Sequence, residues 1–369
     1  WRGLGAALGA VALLLMAVAP AQAQETFRLK MQTAVPATGP HATLLKRFAD
    51  NLDTMSSGRL TIEVLPAGAV VGPQEIADAV SKGLVDMGFA WTHYWTGKHA
   101  AAGLFSAPMS GAGTGLDQMG HIAWMMQGDG KELYRRLYQD ILKLNVVAFQ
   151  VIPDGPEALG WFKKPITSMD EFRQIKFRTP PGLPGQVYTE MGIAVTSLPG
   201  PEIMPAAERG VIDAGEWINP ASDLDMGFHE IFDYYSLQGL HQAIDIGDVI
   251  INGDAWNKLP ADLQAMVEVA AKASMIESLT YFVSENSTAL DTLVNQHGVK
   301  LFTPPADYPP EFLKAANTVL NGYVEDDEFF AEVVESMRGF AETAVPYRVE
   351  TLKQSLFMGE AGLKVKQDK

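Results

Sequence analysis

Apolar and polar positions recur with two different periods along the chain. Phe27-Arg28-Leu29-Lys30-Met31 and Leu60-Thr61-Ile62-Glu63-Val64 alternate as strands do, and an amphipathic helical pattern from Ala42 to Leu52 separates them. The same order returns later as Ile175-Lys176-Phe177-Arg178, a helical stretch around Gln186 to Met191, and Ala194-Val195-Thr196. Each half then runs into an echoed segment, Glu75 to Gly88 in the first and Glu202 to Gly215 in the second. The offset is 127 at both ends, and Glu, Ile, Ala, a basic residue, Gly, two aliphatics, Asp and Gly recur in register. In each copy a short helix ends on Lys82 or Arg209, which suits the negative end of the helix dipole. Gly83 or Gly210 supplies a left-handed stop, and two aliphatics open a buried strand. Strand–helix–strand–helix–strand twice over predicts two similar α/β lobes.

Two apolar runs, Val146 to Ile152 and Asp248 to Asn252, read as hinge strands, the crossings between lobes. After Lys258 the pattern turns helical, and a last long helical pattern from about Glu328 to Leu356 contains Pro346. That tail exceeds what either lobe needs, as expected of a helix docking across both lobes or against another subunit. The expected boundaries are 1–23 for a leader, 24–149 for the first lobe, 150–242 for the second, 243–310 returning to the first, and 311–369 for the helical end.

The leader reading comes from Ala6 to Ala19, an almost unbroken apolar run followed by Pro20 and the small-x-small Ala21-Gln22-Ala23. The run is shorter than the roughly 20 residues of a membrane span, so it reads as an export signal cleaved near Ala23. Across 369 residues, 28 basic side chains face 44 acidic ones, a formal charge of −16. The balance opposes nucleic-acid binding, which needs a basic footprint. An anionic solute would need a site made locally. Zero cysteines exclude disulfides, thiolate zinc sites, iron–sulfur clusters and a cysteine nucleophile.

Most apparent motifs have plainer readings. Gly111-Ala112-Gly113-Thr114-Gly115 lacks the spacing and the preceding strand of a nucleotide loop, and reads as a flexible loop. Asp223-Leu224-Asp225-Met226-Gly227 lacks the later ligands of a calcium loop and reads as a polar turn. His93 and His99, six apart, read as solvated loop residues. Two features stand apart. Arg178 closes a strand and precedes Thr179-Pro180-Pro181-Gly182, where open α/β sheets bind ligands, and its planar fork suits a carboxylate. Glu216-Trp217 ends the second echoed strand where the first copy has Phe89-Ala90, so a carboxylate breaks the symmetry. Either residue could instead serve an ion pair or a cap.

With those residues, the chain resembles the solute-binding subunits of TRAP (tripartite ATP-independent periplasmic) transporters, the DctP-type branch that binds 2-oxo and 2-hydroxy monocarboxylates with a bridging metal. The marks, in order, are Gly160-Trp161-Phe162, Phe177-Arg178 with Pro181-Gly182, Gly210-Val211-Ile212-Asp213-Ala214, and Glu216-Trp217 with Pro220. Gly227, Tyr234-Tyr235, His241, and Trp256 with Leu259-Pro260 follow. The resemblance implies a two-lobed α/β fold of the type II periplasmic-binding-protein kind, with hinge strands and a long C-terminal helix. It implies a periplasmic protein without catalysis that closes over a small organic-acid anion and delivers it to membrane permease subunits. A homodimer through the C-terminal helix is in keeping with the branch.

The resemblance also assigns roles. The acid's carboxylate meets Arg178, and Trp91, Tyr94 and Trp217 wall the substituent. A sodium or calcium ion, bound with the ligand, is held by Glu157, Glu216, Trp217 and Gln242, with Glu157 also touching the substrate. Glu157 stands where the branch has glutamine, and Gln242 where it has glutamate, so two carboxylates and one amide are kept. Two other readings share these residues. One is a periplasmic hydrolase or lyase using Glu157 and Glu216 as a carboxylate pair; the other is a ligand-reading partner of a membrane sensor.

Overall fold

The computed structural model describes residues 25–367, apart from 181 and 199. The expected leader, 1–23, lies outside the described residues. Eleven strands are described, in two sheets. The first contains β1 (Phe27–Thr33), β2 (Leu60–Leu65), β3 (Met87–Trp91), β4 (Val146–Pro153) and β10 (Ile246–Asn252) in the order β2-β1-β3-β10-β4. The second contains β5 (Gly160–Phe162), β6 (Lys176–Thr179), β7 (Ala194–Ser197), β8 (Ala214–Gly215), β9 (Tyr234–Ser236) and β11 (Lys300–Leu301). Its order, β7-β6-β8-β5-β9-β11, repeats the first sheet with one strand added. In both, three parallel strands are followed by an antiparallel neighbour, β10 in one and β5 in the other.

The repeat is therefore a property of the fold. Met87 pairs with Met31 on β1, and Ala214, 127 residues later, pairs with Phe177 on β6. The helices that precede these strands, α1 (Ile76–Ser81) and α2 (Gly200–Glu208), occupy matching places. Gly83 and Gly210 both adopt φ of 70°, the left-handed stop that a side chain would strain.

The two hinge runs sit elsewhere than expected. Val146 to Ile152 and Asp248 to Asn252 are β4 and β10, paired antiparallel within the first sheet. Continuous apolar runs mark strands covered on both faces, which is why these belong to a sheet interior. The chain crosses between sheets just outside them, at 154–159 and 237–245. The crossings run side by side: the Asp154 and Gly155 amides donate to the Asp245 carbonyl, and the Glu157 amide donates to the Gln242 carbonyl.

The segment 243–310 divides between the lobes. β10 joins the first sheet, and β11 pairs with β9 in the second. Joining them is α3 (Ala261–Asn295), a helix of 35 residues, about 52 Å long at 1.5 Å per residue. Its early residues Leu263, Val267 and Ala270 pack in the core under the first sheet, and Leu293 packs under the second. The C-terminal α4 (Tyr308–Asp326) and α5 (Glu328–Gln367) follow, and α5 runs through Pro346 and past Leu356.

Candidate functional site

The parallel strands of both sheets end at a cleft of about 660 Å³. Arg178 reaches it from the end of β6, Glu216 and Trp217 follow β8 directly, and Trp91 ends β3, with Tyr94 just beyond. Glu157 and Gln242 come from the two crossings. Arg178, Glu157, Trp217, Trp91, Tyr94 and Gln242 all line the cleft. Glu216 stands behind them, 1% exposed.

Arg178 is anchored along its whole guanidinium. Its Nε and Nη2 donate to the Leu198 carbonyl at 3.1 and 2.8 Å. Its Nη1 donates to the Glu216 carbonyl at 2.8 Å and to Glu216 Oε1 at 2.5 Å. Trp217 lies against the same guanidinium, ring centroid 5.7 Å from Cζ. The arginine is 3% exposed, so its pairing partner sits in low dielectric where an unpaired charge would be costly. The salt-bridge reading and the ligand reading of Arg178 thus meet at one place: it is ion-paired and it lines the cleft.

The second oxygen of Glu216 faces away from the arginine. Oε2 lies 3.9 Å from His241 Nε2, and Glu157 Oε2 lies 3.6 Å from the same nitrogen. The three donor atoms fall within 4.8 Å of one another, all on buried side chains, and none has a hydrogen-bond partner among the described residues. Burial pushes the Glu157 carboxyl well above its usual range, Asp245, Glu216 and Asp154 push it further, and Arg178 opposes them. Unpaired buried carboxylate oxygens converging on one point fit a hard cation. In that role Glu157 and Glu216 would hold the ion by side-chain oxygens, beside Gln242 and the backbone of Trp217.

Three residues beyond the sequence assignment belong to the site. His241, one of the marks of the resemblance, is fully buried and faces both carboxylates. Asp245 lines the cleft with Oδ1 unpartnered, and its carboxyl is raised by burial and then by Asp154. No spacing signal separates it from the other acids of an acidic chain. His93 corrects the expectation of a solvated loop: it is 7% exposed, lines the cleft, and has Nδ1 3.0 Å from Ser106 Oγ. It is the second residue of the turn Thr92–Trp95 directly after β3, so the strand carries it inside, and burial lowers its pKa to about 3.

Two more plain readings change. Asp223 sits in a helix, Pro220–Met226, where Asn219 caps the start and Gly227 the end. Its buried carboxylate accepts from Trp161 Nε1, Tyr235 Oη and the Ile218 amide. The glycine-rich 111–115 segment is no loose loop. Met109–Gly113 forms a buried left-handed turn, and Ser110 Oγ donates to the Leu240 carbonyl, next to His241.

Two sheets of matching strand order, meeting at a cleft that holds an arginine and a buried acidic cluster, define a two-lobed ligand-binding protein. The chain belongs to the bacterial extracellular solute-binding protein family 7, the DctP family, whose profile matches residues 31–326. It is 33% identical over 303 residues to a monocarboxylate 2-oxoacid-binding periplasmic protein of Nostoc sp., covering 81% of this chain and 78% of that protein. Among solved structures, it is similar to a TRAP transporter solute-binding protein from Bordetella bronchiseptica with calcium and picolinate (26% identity, TM-score 0.83, 92% of this chain and 99% of that one). It is also similar to the TRAP periplasmic solute-binding protein of Pseudoalteromonas atlantica with sodium and pyruvate (28%, TM-score 0.81, 90% and 99%). A third, from Colwellia psychrerythraea, holds calcium and pyruvate (28%, TM-score 0.82, 90% and 99%). Among the described residues no helix is long and apolar enough to cross a membrane.

Proposed function

We propose that this protein is the solute receptor of a TRAP transporter, taking a small 2-oxo or 2-hydroxy carboxylate together with a cation and handing it to the membrane subunits. The observation that carries the reading is that Arg178 and Glu157 line one cleft with Trp91 and Tyr94, and that the Glu157 and Glu216 oxygens converge beside it. The relatives support it, since proteins of this fold hold pyruvate with sodium or calcium. In this reading the solute's carboxylate meets Arg178 and its 2-oxygen reaches the cation, which supplies positive charge where the protein has mostly acids. The apolar walls from Trp91, Tyr94 and Trp217 take the substituent. A solute touching both lobes favours the closed arrangement by its differential affinity.

The lobes in this reading follow the expected boundaries, near 24–149 with part of 243–310, and 150–242, with 311–369 as a helical end. The protein works in the periplasm after cleavage near Ala23, and pairs as a homodimer through α5. It returns its solute unchanged, whereas a hydrolase or lyase using Glu157 and Glu216 would consume it.

Arg178→Ala is the test. Losing a charge-assisted hydrogen bond of about 1.5–3 kcal/mol weakens pyruvate binding about tenfold to a hundredfold by calorimetry, with circular dichroism unchanged. Affinity within a few-fold of the parent would refute the site, and loss of pyruvate from the incubation mixture would favour the enzyme.

A further inference from the structure

We propose that Asp245 reads the substituent of the solute, and that the protein selects 2-oxo and 2-hydroxy carboxylates whose substituent carries a hydroxyl over those with a plain alkyl chain. The inference rests on the solute reading above and deepens it by naming the class of solute.

The first ground is where the acid stands. Asp245 lines the cleft together with Trp91, His93 and Tyr94, the residues beside which the substituent is placed above. Its backbone is held on both sides. The amide donates to Gln118 Oε1 at 3.2 Å, and the carbonyl accepts from the Asp154 and Gly155 amides at 3.1 and 3.3 Å. Gln118 Nε2 donates in turn to the Gly155 carbonyl at 2.9 Å, so one side chain staples Asp245 to the neighbouring crossing. A carboxyl fixed in this way can discriminate between solutes by position.

The second ground is an acceptor without a donor. Asp245 is buried, and its Oδ1 has no hydrogen-bond partner among the described residues. No lysine or arginine among them pairs with it. His93 Nδ1, at 3.8 Å, is beyond hydrogen-bond reach and lies 3.0 Å from Ser106 Oγ. The Gln242 amide stands beside the carboxyl and eases its charge, yet Oδ1 stays unpaired. Asp154, next to it, is engaged by His41 Nε2 through Oδ2 and is not among the residues lining the cleft. A buried acceptor in this state is costly until a donor reaches it.

The chemistry of the donor follows. An alkyl group offers none, and a second carboxylate would add a like charge. An ammonium would lie close to Arg178 and the cation, since the charges of Asp245 and Arg178 both act on Glu157 and on Tyr94. A hydroxyl gives one hydrogen bond and brings no charge. Space allows it, because about 660 Å³ falls among pockets that hold ligands larger than a three-carbon acid. Trp91 and Tyr94 then cover the carbon chain, and Asp245 meets its hydroxyl.

Calcium-loaded protein is titrated calorimetrically with two matched pairs in which a hydroxyl replaces a methyl. These are hydroxypyruvate against 2-oxobutanoate, and 4-hydroxy-2-oxobutanoate against 2-oxopentanoate. In at least one pair the hydroxyl form should bind at least about tenfold more tightly, because its alkyl partner leaves Asp245 without a donor. Asp245→Ala should bring that ratio within about twofold, while Asp245→Asn, which keeps an acceptor oxygen, should hold it above about threefold. Equal affinities within both pairs, or a preference that survives Asp245→Ala, overturn the proposal. If Asp245→Ala does not fold by circular dichroism, carbon-13 NMR of aspartate-labelled parent decides. The hydroxyl solute must move a buried carboxyl signal that its alkyl partner leaves in place, and no difference between them overturns the assignment. The same titrations separate the two readings. Alkyl acids that bind as well as the hydroxyl acids leave the solute reading standing and remove the role of Asp245. No binding by any of the four removes the solute reading itself, and this inference with it.

Discussion

Asp223 holds three donors from three elements: the Trp161 indole on β5, the Tyr235 hydroxyl on β9 and the amide of Ile218 just before its own helix. It braces the floor on which Glu216 and Trp217 stand. Asp223→Ala would leave these buried donors unpaired, at about 1–3 kcal/mol each. We expect urea unfolding to show a loss of at least about 3 kcal/mol, and an unchanged midpoint would contradict that role. The residue also marks what was legible at this scale. Arg178 and Glu216 stood out because one closes a strand and the other breaks a repeat. Asp223, Asp245 and His93 did not, because their importance comes from burial by distant segments, which local pattern does not carry. A cluster of acids and glycine looks the same in a solvated turn and in a capped, buried helix.

At the scale of elements, the twofold strand–helix pattern and the 127-residue echo were readable because period and punctuation are local properties. The shared strand order of the two sheets is their three-dimensional form. The hinge was misplaced by a few residues for a physical reason: strong apolar runs report burial inside a sheet, and the crossings themselves, one opening on Asp154-Gly155-Pro156 and the other mixed in polarity, have no period to read. The split of 243–310 was hidden in α3, since a long helix gives no sign of which core its two ends enter. α5 carries a further expectation. Beyond Pro346 it exposes Tyr347, Leu356, Phe357 and Leu363, all more than 60% accessible, an unusual surface for a soluble tail. If a second copy covers this segment, removing residues 346–369 converts a dimer to a monomer by light scattering while pyruvate binding persists. An unchanged mass for the truncated chain would reject the pairing.

Over the whole molecule, buried acids set the response to pH. Burial raises Asp154 to about 7 and Asp248 to about 8, far above the roughly 4 of an unfolded chain. A raised carboxyl contributes stability that is complete below the unfolded value and is lost as pH rises through the folded one. His41, lowered to about 4 by burial, acts in the opposite sense, but only below its unfolded value near 6.5. The melting temperature of metal-free protein should therefore fall between pH 6.5 and 9, and Asp248→Asn should flatten the fall. A flat or rising profile in the parent would contradict this account of the acids.

The acids at the cleft make the capture of an anion depend on a partner ion, because Arg178 alone offsets only one of Glu157, Glu216 and Asp245. Calorimetry of pyruvate binding before and after chelation tests this most directly. The account predicts that binding disappears when the protein is stripped of metal and returns when calcium or sodium is added back. Pyruvate affinity that is the same with and without the ion would contradict it.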